Sequence, residues 1–344
     1  MTEKLKMVLI GCGGITGAWL PVIRESKDVD LVAMVDLNRE TACERAKEYG
    51  YDEALVETDL EKALDTTRPD FILDCTIPEA HYKVTMTALE KDCHVLGEKP
   101  LADSMQHARE MVKKAGEAGK IYAVTQNRRF LGDIRRVKQF LDSGALGEIT
   151  TINCDFYLGP HFGGFREEMD HVLLLDMAIH TFDQARVLTD AKAESVMCHE
   201  WNPRGSWYKH GASAVAVFEM SDDLVYTYRG SWCSEGKNTS WEGSWRIIGT
   251  QGSLLWDGND GMEASVVKQS NESLKLEEIP MEIPEIDESA YRNPREIMLE
   301  DFIRAIRTDT PPENACTDNI HSLAMVFGAI ESAEKNGARV QIEA

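Results

Sequence analysis

Residues 7–17 read Met-Val-Leu-Ile-Gly-Cys-Gly-Gly-Ile-Thr-Gly. A short apolar run, Met7 to Ile10, breaks at Gly11 and passes through Gly13 and Gly14 into a stretch with helical spacing. A second apolar run, Leu31 to Val35, ends in Asp36. Strand, glycine turn, helix, strand and terminal carboxylate, in that order, are the layout of a βαβ unit that cradles a dinucleotide. The glycines let the backbone approach a pyrophosphate, and the helix N-terminus offers N–H groups and the positive end of its dipole. The reading assigns Gly11, Gly13, Gly14 and Ile15 to the phosphate turn and Asp36 to the adenosine ribose hydroxyls. It predicts NAD rather than NADP, because Asp36 would repel a 2′-phosphate, with Arg39 partly offsetting that repulsion. Thr16 stands where the third glycine of the pattern falls, and Gly17 follows it.

Up to residue 125, apolar runs at 7–11, 31–36, 71–76, 94–98 and 121–125 alternate with helical patterns at 15–27, 38–49, 79–91 and 103–118. Strands separated by helices predict an α/β Rossmann domain, a doubly wound parallel sheet, over 1–125. The texture then changes. A long strand is expected over 147–157 and a helical block over 166–188. Strands follow at 194–201, 212–220, 224–233, 241–249, 252–256 and 263–269, then helices at 294–307 and 317–336. Short polar connections such as Ser221-Asp222-Asp223 predict an α+β domain with an open, mostly antiparallel sheet over 126–344, for substrate binding and oligomerisation. The acidic stretch 277–290 reads as the least structured.

A formal charge of −22 on 344 residues repels a phosphate backbone, so nucleic acid is not an expected partner. No apolar stretch approaches the ~18 residues that suggest a membrane span, and no signal-peptide core follows Met1. Eight cysteines show neither a C-x-x-C pair nor zinc spacing. Cys75, Cys93 and Cys154 in strand-like runs predict buried free thiols, a reducing cytoplasmic setting and no metal.

Three strand ends carry chemistry. Glu98-Lys99-Pro100 closes the fourth expected strand, at the carboxyl edge where such sheets bind ligands; a lysine there can steady a developing alkoxide or be a surface turn residue. Asp74-Cys75-Thr76-Ile77-Pro78 ends the third, so Thr76, Pro78 and His81 are candidates for the cofactor's ribose and nicotinamide, or a turn and helix start. Gln126-Asn127-Arg128-Arg129-Phe130 follows the last, offering amides and guanidiniums or serving as a charged linker. In Leu175-Asp176-Met177-Ala178-Ile179-His180-Thr181-Phe182-Asp183, the acidic residues and His180 fall at i, i+4 and i+7, which predicts one helical face carrying all three. A histidine titrating near neutrality suits proton abstraction from an alcohol, and an ion pair is the alternative. His161 and Arg166 flank Gly163-Gly164, a segment placed to close over a substrate.

Taken together, Gly-Cys-Gly-Gly-Ile, the second-strand Asp36, Glu98-Lys99-Pro100, Gln126 to Phe130 and Leu175-Asp176-x-x-x-His180 resemble the Gfo/Idh/MocA family of oxidoreductases along essentially the whole chain. The resemblance implies a Rossmann domain joined to an open-sheet domain, and oxidation of a secondary hydroxyl of a sugar, cyclitol or related polyol, or the reverse reduction. It implies Lys99 as catalytic lysine, His180 as acid/base and Asp176 beside it in the substrate pocket. Glu98 and Gln126 stand with the cofactor set and His161 and Arg166 with the substrate set. A glycosidase that retains NAD and a non-catalytic sensor remain rivals. Six of the seven tryptophans lie between Trp201 and Trp256. They predict either a subunit interface or core, giving a homodimer or homotetramer, or a platform for sugar rings.

Overall fold

The computed structural model describes residues 3–268 and 277–344, and the chain divides into two compact units, Met1–Asn127 with Asn293–Ile320 and Arg128–Arg292 with His321–Ala344. In the first unit the strands are β1 (Leu5–Ile10), β2 (Val29–Val35), β3 (Leu55–Glu57), β4 (Phe71–Asp74), β5 (His94–Gly97) and β6 (Tyr122–Val124). Between them run α1 (Thr16–Glu25), α2 (Arg39–Glu48), α3 (Leu60–Thr67), α4 (Pro78–Glu90) and α5 (Met105–Ala118). All six strands pair in parallel in the order β3-β2-β1-β4-β5-β6. Both faces are covered, so β1 and β4 are near-continuous apolar runs. β3 and α3 went unread because β3 is three half-exposed residues, too short to show a period. The order reverses between β1 and β4, the position where open α/β sheets bind their ligands.

The second unit opens with α6 (Gly132–Asp142), an unpredicted helix that buries Ile134, Val137, Phe140 and Leu141 on one face. Its strands are β7 (Ile149–Tyr157), β8 (Ala193–Trp201), β9 (Ser213–Met220), β10 (Val225–Ser231), β11 (Ser244–Gly249), β12 (Gly252–Trp256), β13 (Met262–Lys268) and β14 (Glu277–Met281), with α7 (Ile179–Thr189) before β8. Among the described residues the sheet has nine strands, completed by β15 (Val340–Gln341), and every pairing is antiparallel except β10 with β7. Residue 269, the expected end of β13, lies outside the described residues.

Side chains alternate along each strand. Ile152, Cys154 and Phe156 of β7 are buried, while Asn153 and Asp155 face outward. The buried face meets α7, whose Phe182 sets its edge against Phe218, Tyr228 and Tyr226 at 4.8, 5.2 and 6.1 Å. Trp232, Trp245 and Trp256 are fully buried, so half of the tryptophan cluster is core and only Trp201 and Trp241 are well exposed. Within the acidic stretch 277–290, β14 takes its hydrogen bonds from β13 as an edge strand, carries Pro280, and needs no apolar face of its own.

The chain returns to the first unit at α8 (Pro294–Thr308), expected in the second domain, and α9 (Cys316–Glu334) begins in the first unit and ends in the second. α8 is drawn back by its apolar stripe: Phe302 stacks edge-on against Phe71 at 5.4 Å, and Arg307 pairs with Asp28 at 2.8 Å.

At the start of β5, His94 accepts the Ile121 N–H on Nδ1 at 2.9 Å. Burial, assisted by the Lys120 charge, lowers its pKa to about 4, so the unfolded chain binds a proton that the folded one refuses. Stability carried by neutral His94 is therefore full above pH ~6.5 and is lost as pH falls from there toward 4. His94→Asn, which keeps an acceptor for Ile121 but does not titrate, should flatten the urea-midpoint profile in that window; an unchanged slope would contradict the assignment.

Candidate functional site

The glycine turn is built by exclusion. Gly11 has φ +79°, and a Cβ there would lie 2.8 Å from the Cys75 carbonyl and the Thr76 nitrogen, so only glycine lets β1 end against β4. Gly13 and Gly14 have open space where a Cβ would stand. Thr16, in the third-glycine position, is buried and donates its hydroxyl to the Gly13 carbonyl at 2.6 Å, so it ties the turn rather than filling it. The N-terminus of α1 has no side-chain cap. Open glycines before an uncapped helix fit a diphosphate. Asp36 accepts the Cys12 and Asn38 N–H groups, each at 2.8 Å, which fixes its carboxylate at the end of β2. Burial, then the Asp36 charge, pushes the Cys12 thiol up to about 12, so that cysteine is no nucleophile. Ile15, Leu37 and Ile77 are exposed on the turns after β1, β2 and β4. They leave apolar surface suited to a flat base, and the sequence reading missed the last two.

Behind this edge lies a buried ion pair. Asp74 accepts from the Thr76 hydroxyl at 2.6 Å and N–H at 3.0 Å, and meets His81 Nδ1 at 2.8 Å. Burial alone would raise the Asp74 carboxyl and lower the His81 imidazole. Their contact reverses both, holding Asp74 below the usual carboxylate range and His81 above the ordinary histidine value. His81 is 1% exposed, and its Nδ1 ties it to Asp74 behind the turn carrying Thr76 and Pro78. Glu98 likewise points inward: it accepts from Trp19 Nε1 at 2.7 Å, and Arg295 lies over that indole at 5.7 Å. Lys99 follows at the head of the next turn, through a cis bond to Pro100. Gln126 is buried and takes the Asn319 amide at 3.5 Å.

In the second unit, Asp176 lies in a π-helical turn, Leu173–Ala178, that runs directly into α7. An i→i+5 turn holds an extra residue, so positions before it rotate away from those after it. The expected single face is thereby split. Asp176 accepts from Arg166 Nε at 2.8 Å, His180 is buried in the first turn of α7, and Asp183 turns to the interior. There Asp183 accepts Arg129 Nε at 2.9 Å and the Ser322 hydroxyl at 2.7 Å, and that hydroxyl accepts from Arg186 at 2.7 Å. Arg129 of the Gln126–Phe130 motif is thus a structural counter-ion. His161 stacks on Trp207 at 3.7 Å and meets Glu235 at 2.9 Å. Tyr208, unread in the sequence, is buried within range of the Asp176 charge, and burial above all raises its pKa to about 12. Among the described residues no group of three or more His, Cys, Asp or Glu is arranged to hold a metal, and no helix is long and apolar enough to cross a membrane.

Residues 5–126 match the oxidoreductase family with an NAD-binding Rossmann fold, and residues 134–255 match the GFO/IDH/MocA C-terminal domain. The chain belongs to the GFO/IDH/MocA oxidoreductase family. D-glucoside 3-dehydrogenase of Escherichia coli K12 is 32% identical over 236 residues, 66% of this chain and 67% of the relative. 1,5-Anhydro-D-fructose reductase of Ensifer adhaerens is 26% identical over 97% of this chain and 98% of its own. An oxidoreductase from Agrobacterium radiobacter, solved with NAD+, L-tartaric acid and magnesium, shares the fold with a TM-score of 0.85 at 20% identity, over 98% of each chain. The GFO/IDH/MocA protein described here is therefore an oxidoreductase, and its first unit is the NAD-binding Rossmann domain of the family.

The two carboxylates of the π/α7 segment separate experimentally. Asp183→Ala leaves Arg129 charged and buried, and should cost about 3–5 kcal/mol in urea unfolding. Asp176→Ala, at a partly exposed pair, should cost about 1 kcal/mol or less. Equal losses would refute the division of roles.

Proposed function

We propose that the protein is an NAD-dependent dehydrogenase that oxidises a secondary hydroxyl of a sugar, cyclitol or related polyol, or reduces the corresponding ketone. The observation that carries this reading is the π turn. It brings Asp176 to Arg166 while Asp183 pairs with Arg129, and His180 stands in the first turn of the same helix. The activities for which two relatives are named, on a glucoside and an anhydrosugar, support the substrate class. The turn at Gly11, Gly13 and Gly14, the α1 N-terminus and Asp36 would hold NAD, which supplies the hydride acceptor. His180 takes the hydroxyl proton, Lys99 steadies the oxygen as negative charge develops on it, and Asp176 orients the acid/base set. A screen of sugars and cyclitols for NADH formation at alkaline pH tests the reading, and no turnover across the panel would reject it. His180→Ala and Lys99→Ala should each lower kcat by ~10²–10⁴ with NAD affinity nearly unchanged. The double variant should fall far short of the product of the two effects, because the pair acts as a unit.

The same reading gives NAD preference over NADP. Arg39 Nη1 donates to the Val56 carbonyl at 2.8 Å, which ties that guanidinium to the β3 strand, while Asp36 is fixed by the Cys12 and Asn38 N–H groups. kcat/KM should favour NAD, and Asp36→Ala should narrow the ratio; a wild-type preference for NADP would contradict it.

We further propose a homodimer or homotetramer formed on the outward sheet face. Asn153, Asp155, Thr227, Arg229, Arg246 and Leu255 line a trough of about 770 Å³ there, and Met197, Trp201 and Val267 lie exposed on the same sheet. Light scattering should find no monomer at micromolar concentration. A cytoplasmic setting belongs to the same reading and is supported by eight free thiols, six of them buried.

A further inference from the structure

Three large aromatic side chains of the second unit lie open to solvent close together. Phe162, Phe165 and Trp241 are 55%, 62% and 45% exposed. Phe162 and Trp241 stand 6.3 Å apart, and both lean on the fully buried Trp232, at 6.0 and 5.6 Å. Burying Trp232 gives the two exposed rings a fixed floor. Phe162 and Phe165 are presented by Gly163 and Gly164, whose φ values of +67° and +69° favour glycine. The cations near these rings are already balanced. Arg166 lies over Phe162 and Phe165 at 5.5 and 4.8 Å and pairs with Asp176 at 2.8 Å. Arg128 lies over Trp241 at 5.9 Å and pairs with Glu242 at 3.0 Å.

We propose that Phe162, Phe165 and Trp241 form a stacking shelf for the group attached to the reacting ring, and that the substrate is an uncharged glycoside. The inference rests on the dehydrogenase reading for the reacting ring and deepens it. Arg166 joins the shelf to Asp176, so a ligand whose hydroxyl is served at Asp176 and His180 extends its next ring over the aromatics. Sugar C–H faces and aryl aglycones both stack on such surfaces. Both guanidiniums over these rings are paired with carboxylates, so they offer a phosphate or carboxylate little, and the −22 net charge disfavours its approach.

The test uses the full-length protein with NAD. Tryptophan fluorescence is titrated with phenyl β-glucopyranoside, glucose and glucose 6-phosphate, and NADH formation is followed in parallel. Phenyl glucopyranoside should quench saturably, with Kd about tenfold below that of glucose, and glucose 6-phosphate should bind more weakly than both. Trp241→Ala should raise the Kd for the phenyl glycoside about tenfold, and Trp241→Phe should recover most of that loss. Phe165→Ala, at the most exposed of the three rings, should move it in the same direction and guards against a Trp241 variant that folds poorly. Turnover of both neutral sugars with their ratio unmoved by these variants overturns the shelf and leaves the dehydrogenase reading standing. Trp241-dependent quenching without turnover of any sugar keeps the shelf and overturns that reading. Tighter binding of glucose 6-phosphate, or no quenching by any of the three, overturns the shelf.

Discussion

Asp183 is a carboxylate with no solvent exposure, and the second unit is organised around satisfying it. A charge removed from water must be met by counter-charge and hydrogen bonds, or it costs several kcal/mol. Arg129, Ser322 and, more distantly, Arg186 meet it. They come from the segment entering the unit, from α9 and from α7, so one anion fixes three stretches far apart in sequence. The helix that carries His180 is one of them. The precision with which His180 is held is thus set by a network that need not touch a substrate. The first unit repeats the device on a smaller scale, where Asp74 gathers the Thr76 hydroxyl and N–H and the His81 imidazole and so fixes the turn after β4.

Much of the first unit was legible because its signals are local. A parallel strand covered on both faces is an apolar run, and Gly11 must be glycine for a steric reason that shows as a letter in the sequence. The second sheet was legible strand by strand through its alternation, and its tryptophans were not, because period two does not say which of its two faces is the covered one. Trp245 and Trp256 lie on the helix-covered face, whereas Trp201 lies on the other. β14 escaped notice because an edge strand can be acidic and still pair. α8 was placed in the wrong unit because nothing in an amphipathic period names the partner of its apolar stripe.

The candidate site divides in the same way. Residue types were readable and directions were not. Glu98, His81 and Gln126, singled out as cofactor candidates next to the strand ends, are all three buried. Trp19 holds Glu98, Asp74 holds His81, and Asn319 meets Gln126. A polar residue at a strand end is equally well explained by contacting a ligand or by fixing the loop that does, and only its burial separates the two.

The π turn shows why spacing alone misleads at such places. In a regular helix Asp176, His180 and Asp183 would share one stripe. One extra residue in the turn splits that stripe. Asp183 goes inward to Arg129, Asp176 goes to Arg166, and His180 keeps the position between them in sequence. The i→i+5 turn thus lets one continuous helical segment direct two carboxylates to different partners. Because Arg166 also covers two exposed aromatic rings, the Asp176 carboxylate is linked through it to the surface proposed to receive the ligand's next ring.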